Sequence, residues 1–188
     1  MLIFIGVILL IDKIFNEDCL EGMKRIPDSS VDMVLADLPF GSTDNPWDKK
    51  LPLDKVWKQY LRVCKTNAAI VLFSQMPFGA ELIMSQPKLY RYEWIWEKTL
   101  RAGFLNAHKM PLRIHENILV FYRSLPTYNP QYFYAKPYKI KGHPLDCNCY
   151  GDVKWDGKTE TWSSDGKRFP VDVIKFISPF TGYHMGRK

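Results

Sequence analysis

The tetrapeptide Asp37-Leu38-Pro39-Phe40 places a carboxylate, a proline and an aromatic ring together, directly after the apolar run over residues 34–36. A carboxylate accepts hydrogen bonds, and an aromatic ring offers a surface on which a flat ligand can stack. Proline fixes φ and stiffens the backbone between them. The same residue types also form ordinary turns, because Asp, Pro and Gly all end strands. From the tetrapeptide alone, a ligand site and a turn both stay open.

Helical and extended patterns alternate around this tetrapeptide. A continuous stripe of apolar residues at helical spacing makes the helix over 53–65 the clearest of these elements. The strand over 68–73 has no polar face, which is typical of a parallel strand covered on both sides. In chain order the patterns predict a helix over 16–26, a strand over 31–36 that ends at Asp37, the helix over 53–65, the strand over 68–73, a helix between Pro77 and Pro87, and strands over 92–98 and 117–122.

This order of elements predicts an α/β layered domain with a mainly parallel sheet. In such sheets, ligands bind beyond the carboxyl ends of the strands. Asp37 and Ser74 both stand at such ends. The tetrapeptide is therefore a candidate site by its position as well as by its residue types.

The composition fits a single domain that can bury a core. The chain has 188 residues, of which 46% are hydrophobic, and 26 Lys and Arg against 20 Asp and Glu give a net charge of +6. This charge is compatible with a nucleic-acid partner without establishing one. Cys147 and Cys149 form an isolated close pair, which is a weak zinc signal, so we expect free thiols in a reducing cytoplasm. His108 and His115 lack metal-ligand spacing with nearby acids, and we expect no metal.

The first eleven residues carry no charge. They are too few to span a bilayer, which takes about 20 apolar residues, and they lack the features of a signal peptide. We therefore expect no membrane partner, and treat residues 1–13 as an apolar N-terminal extension or strand.

The stretch from 125 to 162 has neither a helical nor a strand period. It contains eight aromatic residues interleaved with five lysines, whereas flexible linkers are poor in aromatic residues. It therefore reads as an irregular aromatic-rich insert. Either its aromatic side chains pack on one another, or they stack on a ligand.

Several segments together resemble an amino-methylating DNA methyltransferase. They occur in that family's order and cover residues 14–176: NEDCLEGMKRIPDSSVDMVLADLPFG, IVLF, YEWIWEK, GFLNAHKMPLRIHENILVFYR and RFPVDVIKF. The resemblance implies a Rossmann-like sheet and S-adenosylmethionine as cofactor. It implies methyl transfer to the 6-amino group of adenine in double-stranded DNA, because the tetrapeptide keeps Asp at its first position, where cytosine enzymes more often have Ser. The target adenine would be flipped out of the duplex.

The same resemblance assigns roles to the tetrapeptide. Asp37 and the carbonyl of Leu38 would accept hydrogen bonds from the adenine amine, Pro39 would hold the loop rigid, and Phe40 would stack on the base. Leu38 and Phe40 depart from the commonest form of the motif, Asp-Pro-Pro-Tyr. The resemblance also implies that Asp37 and Asp18 contact the cofactor. Asp18 matches a family acid near the adenosine end of the cofactor, or it serves only as a helix cap.

Residues outside the tetrapeptide are further candidates for the site. Lys98 ends a strand at the active rim or is simply solvated, while His115 and Glu116 look like framework residues of the family. Asp44, Asn45 and Trp47 belong to a loop that contacts substrate or only forms surface. For the insert, taken as 125–167, the resemblance implies a DNA target-recognition region, with Tyr134, Lys136 and Lys139 (as well as Phe40) contacting DNA.

The family's glycine-rich cofactor loop, Phe-x-Gly-x-Gly, does not occur in this sequence. The segment 168–188 stops where the stretch before that loop would begin. We therefore expect that residues 14–124 form the catalytic α/β region of a truncated sheet, which either was cut short by a gene split or frameshift or is completed by a second chain that supplies the cofactor half. The alternative is a catalytically inactive DNA-binding remnant of such an enzyme.

Overall fold

The computed structural model describes residues 12–140, 161–163 and 165–176, with only the backbone described for 139–140 and 161–163. The apolar extension, Cys147 and Cys149, much of the insert and the chain after residue 176 lie outside the described residues. The chain divides into two compact units, Met1–Thr127 with Asp172–Lys188, and Tyr128–Val171.

The first unit confirms the predicted alternation of helices and strands. Its elements are α1 (Cys19–Met23), β1 (Val31–Asp37), α2 (Leu53–Val63), β2 (Cys64–Ser74), α3 (Phe78–Ser85), β3 (Tyr90–Ala102), a 3₁₀ turn (Phe104–Asn106), β4 (Arg113–Phe121) and, after the second unit, β9 (Val173–Lys175). The second unit holds β5 (Phe133–Tyr134), β6 (Tyr138–Ile140), β7 (Thr161–Ser163) and β8 (Lys167–Arg168). Helix α1 is shorter than the predicted span over 16–26.

The central sheet is mixed, with the strand order β1-β2-β4-β3-β9. Strand β1 is parallel to β2 and β3 to β9, whereas β4 is antiparallel to both of its neighbours. Four strands therefore run in one direction and β4 runs against them. A parallel connection needs a crossover of a dozen or more residues, usually with a helix. The link over 103–112 that joins β3 to β4 is too short for this, so these two strands pair antiparallel.

The hydrophobic core lies on one face of the sheet, under α2 and α3. Ile70, Leu72, Leu119 and Phe121 line this face and are 3% exposed or less. The helices add side chains such as Trp57, whose indole Nε1 donates a 2.7 Å hydrogen bond to Ser85 Oγ. The apolar stripe of α2 that the sequence indicated is thus the surface that covers the sheet.

The opposite face of the sheet carries the other set of alternating side chains. On β1 these are Met33, Leu35 and Asp37, and Met33 and Leu35 remain 55% and 59% exposed. The buried side chains of α2 and α3 belong to the core cluster on the first face. Among the described strands of the sheet, β1 is also the terminal one.

The second unit contains two short antiparallel ladders, β5 with β8 and β6 with β7. Cations lie over aromatic rings in this unit, with Lys167 Nζ 3.8 Å from the centroid of the Tyr132 ring and Arg168 Cζ 4.2 Å from that of Tyr138. Among the described residues, no helix combines the length and apolar character that crossing a membrane requires.

Candidate active site

Asp37 is the last residue of β1 and lies beside Phe73 of β2. It is exposed, and within the described residues its carboxylate takes part in no hydrogen bond or ion pair. A cavity of about 290 Å³ opens here, lined by residues 37–40 together with Ser42, Thr43, Trp47 and Asp48. All four tetrapeptide residues therefore line one cavity at the carboxyl end of a sheet strand, which is where the sequence predicts a site.

The tetrapeptide is anchored to the core by two of its side chains. Leu38 is only 8% exposed and belongs to the core cluster. The Phe40 ring lies 5.5 Å from that of Phe78, the first residue of α3. These contacts fix the backbone on either side of Pro39, so the loop keeps its shape without a ligand.

Asp48 organises the rest of the loop and was not among the residues that the sequence pattern indicated. Its carboxylate accepts hydrogen bonds from the backbone N–H groups of Gly41, Ser42 and Thr43 at 2.7–2.9 Å, and from the Thr43 hydroxyl at 2.8 Å. Gly41 has φ +65°, a conformation that suits glycine. The sequence signal that could have identified Asp48 is an acidic residue that follows a Gly-Ser-Thr turn by several positions.

The pKa of Asp48 reflects this arrangement. Its burial acts to raise the pKa, but the hydrogen bonds from Gly41, Ser42 and Thr43 outweigh it, and the pKa is lowered from the usual value. Asp48 is thus an ionised carboxylate committed to holding the loop, whereas Asp37 keeps its acceptor oxygens available.

A chain of polar side chains crosses the same rim of the sheet on the neighbouring strands. Lys98 of β3 forms an ion pair with Glu116 of β4. Gln75 Nε2 donates to Glu116 Oε1 at 3.4 Å, and Arg113 Nη1 donates to Gln75 Oε1 at 2.6 Å. Lys98 is thus ion-paired rather than simply solvated, its strand continues to Ala102 instead of ending at Lys98, and a role at the active rim stays a prediction.

The pKa of Asp37 is raised from its usual value. Desolvation by the surrounding protein is the largest cause, followed by the negative charge of Glu116, while the positive charge of Lys98 acts in the opposite direction. Nearby, Lys98 Nζ lies 5.0 Å from the Trp96 ring centroid, and the Trp96 indole N–H is buried without a hydrogen-bond partner in the described part of the chain.

This arrangement can bind and polarise a polar group on a flat ligand. Asp37 offers carboxylate acceptor oxygens, and the aromatic residues Phe40 and Trp47 line the same cavity. Trp47 is 72% exposed. Such a site acts by positioning and electrostatics and needs no covalent intermediate.

The remaining predicted site residues lie elsewhere. Asp18 is the N-cap of α1, and its Oδ1 accepts hydrogen bonds from the N–H groups of Leu20 and Glu21 at 2.7 and 3.2 Å. It lines a different cavity from Asp37. The cap interpretation of Asp18 is confirmed, and its cofactor role stays a prediction.

Apart from Phe40, which lines the cavity at Asp37, the residues predicted to bind DNA belong to the second unit. Tyr134 is 72% exposed, and Lys136 is exposed as well. For Lys139 only the backbone is described, as part of β6. Their contact with DNA stays a prediction.

No protein-family model matches the chain, and no curated protein matches it by sequence. Among solved structures, the PvuII DNA methyltransferase (cytosine-N4-specific) is similar at 12% identity with a TM-score of 0.47, over 58% of this chain and 49% of that one. The M1.HpyAVI–SAM complex is similar at 16% identity with a TM-score of 0.43, over 65% of this chain and 59% of that one. TTHA0409 from Thermus thermophilus, described as a DNA modification methylase, is similar at 18% identity with a TM-score of 0.44, over 61% of this chain and 53% of that one.

The chain thus spans about half the length of the solved structures that it matches. Because all three TM-scores lie below 0.5, a function for this chain has to be supported by its own residues.

Proposed function

We propose that this chain is the catalytic part of an enzyme that transfers a methyl group from S-adenosylmethionine to the 6-amino group of adenine in DNA. The observation that carries the proposal is Asp37, an exposed carboxylate at the end of β1 that lines a cavity together with Phe40. Its side chain makes no hydrogen bond within the described residues, so its acceptor oxygens are available to a ligand.

The chemistry requires such an acceptor. The lone pair of the adenine amine is delocalised into the ring, which makes this nitrogen a poor nucleophile. Asp37 and the Leu38 carbonyl accept its two hydrogens and favour a tetrahedral nitrogen whose lone pair can attack a methyl carbon. When bound, S-adenosylmethionine supplies an electrophilic methyl group on a sulfonium. On forming the product, the methyl–sulfur bond breaks and its electron pair stays on sulfur as a thioether, while the amine passes one proton to water. Phe40 stacks on the base, a contact worth about 1–3 kcal/mol in single-strand binders.

The cavity at Asp37 suits the acceptor base rather than the whole cofactor. The cavity of about 290 Å³ lies at the lower end of ligand pockets, which typically measure roughly 300–1,000 Å³. We therefore propose that Asp37 and Asp18 contact only part of the cofactor, and that the rest of its pocket comes from a second chain.

The terminal position of β1 supports this second chain. Among the strands of the described residues, β1 has a neighbour on one side only, so its other edge presents backbone groups with no partner among those residues, and Met33 and Leu35 expose apolar surface on one of its faces. Pairing with a further strand would satisfy these groups and extend the sheet next to Asp37.

The double-stranded DNA substrate would present a flipped adenine to the cavity. In the second unit, the exposed ring of Tyr134 and the exposed Lys136 are suited to stacking and phosphate contact. We propose that these two residues and Lys139 position the DNA, and that Phe40 receives the extruded base.

The test measures transfer of labelled methyl groups to DNA that lacks adenine methylation, with and without a second chain that carries a glycine-rich cofactor loop. Hydrolysed product is analysed for N6-methyladenine and N4-methylcytosine. We expect N6-methyladenine from the wild type, and its loss in Asp37→Asn and Asp37→Ala. Asp32→Asn is the matched control, because Asp32 lies on β1 but pairs with Lys65 away from the cavity.

Equal activity of Asp37→Ala and the control would contradict the role of Asp37. Detection of N4-methylcytosine as the product would show that the substrate base is cytosine and not adenine. Specific DNA binding without methyl transfer, even in the presence of the second chain, would favour the inactive DNA-binding remnant.

A further inference from the structure

Asp37 and Glu116 lie on the same face of the sheet. Asp37 of β1 is beside Phe73 of β2, and Phe73 is beside Ile118 of β4. Glu116 is two residues from Ile118 along β4 and therefore points to the same side of the sheet. The two carboxylates thus share the face opposite the helical core, at one rim of the sheet.

Lys98 joins this face from the next strand. Trp96 of β3 is beside Glu116, and Lys98 lies two residues further along β3, on the same side. The ion pair between Lys98 and Glu116 places a positive and a negative charge side by side. The Glu116 side chain is only 14% exposed, so this negative charge is poorly screened by solvent.

A second contact restrains Glu116. Gln75, just after β2, lies with its Nε2 3.4 Å from Glu116 Oε1, and it accepts a 2.6 Å hydrogen bond from Arg113 at its other amide atom. The Glu116 carboxylate is thereby held between β2 and β3 rather than free to turn into solvent.

We propose that Lys98 and Glu116 are positioning residues that set the charge of the Asp37 carboxylate, Glu116 opposing its ionisation and Lys98 supporting it. This inference rests on the proposed function, in which ionised Asp37 is the acceptor for the amine. Neither residue contacts the substrate in this scheme. The negative charge of Glu116 makes Asp37 a stronger acceptor, and the positive charge of Lys98 offsets part of the repulsion between the two carboxylates.

Among the described residues, the charged groups near Asp37 on this face come from β3 and β4. Strand β2 brings the uncharged Phe73 to this rim, β4 brings Glu116 and, through its hydrogen bond to Gln75, Arg113, and β3 brings Lys98. In its own loop, Asp48 is occupied by the backbone of residues 41–43. Glu116 and Lys98 are also the charges that move the pKa of Asp37, in opposite directions.

The experiment is a titration of the Asp37 carboxyl carbon by NMR, on the carbon-13-labelled full chain without DNA or cofactor. Asp37→Asn assigns the signal. We expect Glu116→Gln to lower the pKa of Asp37, and Lys98→Met to raise it. Lys98→Arg keeps the positive charge and should restore the wild-type titration. Glu97→Gln is the matched control, because Glu97 pairs with Lys175 on the other side of β3 and should leave the titration unchanged.

Shifts of the same sign in Glu116→Gln and Lys98→Met, or shifts no larger than that of Glu97→Gln, would overturn the proposal. If one charge variant does not fold, a shift of the other against its expected direction, or one no larger than that of Glu97→Gln, would overturn the proposal. A merely structural role would not produce opposite shifts.

The titration also separates this inference from the proposed function. If methyl transfer is measured, the acid limb of its pH profile should move to lower pH in Glu116→Gln and to higher pH in Lys98→Met. Opposite NMR shifts with methyl transfer that is insensitive to Asp37→Asn would support the charge coupling and contradict the proposed function.

Discussion

Asp37 and Asp48 belong to the same cavity, yet their surroundings move their pKa values in opposite directions. Asp48 accepts several hydrogen bonds from the loop, which stabilise its charged form. Asp37 is desolvated and faces Glu116, and only Lys98 favours its charge. One aspartate is therefore used to build the loop, while the other keeps its oxygens for a ligand.

For Asp48→Asn we expect a lower free energy of unfolding at neutral pH and a weaker acceptor site. Because the folded-state pKa of Asp48 is depressed, its contribution is present above the unfolded-state pKa, about 3.9, and is lost as the pH falls through the folded-state value. The difference between variant and wild type should therefore shrink on acidification. Urea unfolding at neutral and acidic pH measures it.

Asp44→Asn is the control for this prediction, because Asp44 is exposed in the same loop. Equal stabilities of the Asp48 and Asp44 variants at neutral pH would show that the loop does not depend on the carboxylate.

At the scale of the elements, the two faces of the sheet should respond differently to truncation. Leu72→Ala opens a cavity at a fully buried site and should cost about 2–5 kcal/mol. Leu35→Ala removes a side chain that is 59% exposed and should stay within about 0.5 kcal/mol for the isolated chain. Denaturant unfolding of both variants tests this.

The Leu35 variant carries a second expectation. If a second chain extends the sheet at β1, Leu35→Ala should weaken that association while leaving the isolated chain as stable as the wild type. A large loss of stability in the isolated chain would instead mean that this face is already covered.

Gly166 is required by the ladder between β5 and β8. Its φ is +73°, and an added Cβ would lie 2.0 Å from the carbonyl oxygen of Ala135, whose N–H donates to the Gly166 carbonyl at 2.9 Å. We expect Gly166→Ala to accelerate hydrogen exchange of the Ala135 amide strongly. Positive φ alone costs a non-glycine residue roughly 1–2 kcal/mol, so the close contact should add to that.

Gly103→Ala separates the two causes. Gly103 also has a positive φ, +85°, but an added Cβ would meet nothing within 4 Å. Its effect on stability should be limited to the backbone strain. If both variants lose the same stability, the contact with Ala135 is not what requires Gly166.

At the scale of the whole molecule, the net charge of +6 means that the proposed DNA binding would depend on salt concentration as well as on individual contacts. Lys136→Ala should weaken binding to any duplex and reduce the slope of log K against log salt by about one. Lys55→Ala, an exposed lysine on α2, should leave the slope unchanged. Equal slopes for the wild type and both variants would remove Lys136 from the DNA contacts.

Local sequence patterns predicted most of the first unit, because they report local physics. The apolar stripe of α2 and the apolar run of β2 each identify an element from neighbouring residues alone. Strand β1 ends at Asp37 as expected. Element lengths were predicted less well, since β2, β3 and β4 begin earlier than their predicted spans. Helix α1 is shorter than predicted, since Pro27 disfavours helix in the residues before it and the cap at Asp18 fixes its start.

The sequence by itself determined the order of the elements and the position of the acidic tetrapeptide at a strand end. Only the tertiary structure decided the antiparallel insertion of β4, the pairing of Lys98 with Glu116, and the availability of the Asp37 oxygens. These features join residues that are far apart in the chain, and their energies depend on distance and desolvation in three dimensions. A pattern of neighbouring residues carries no information about either quantity.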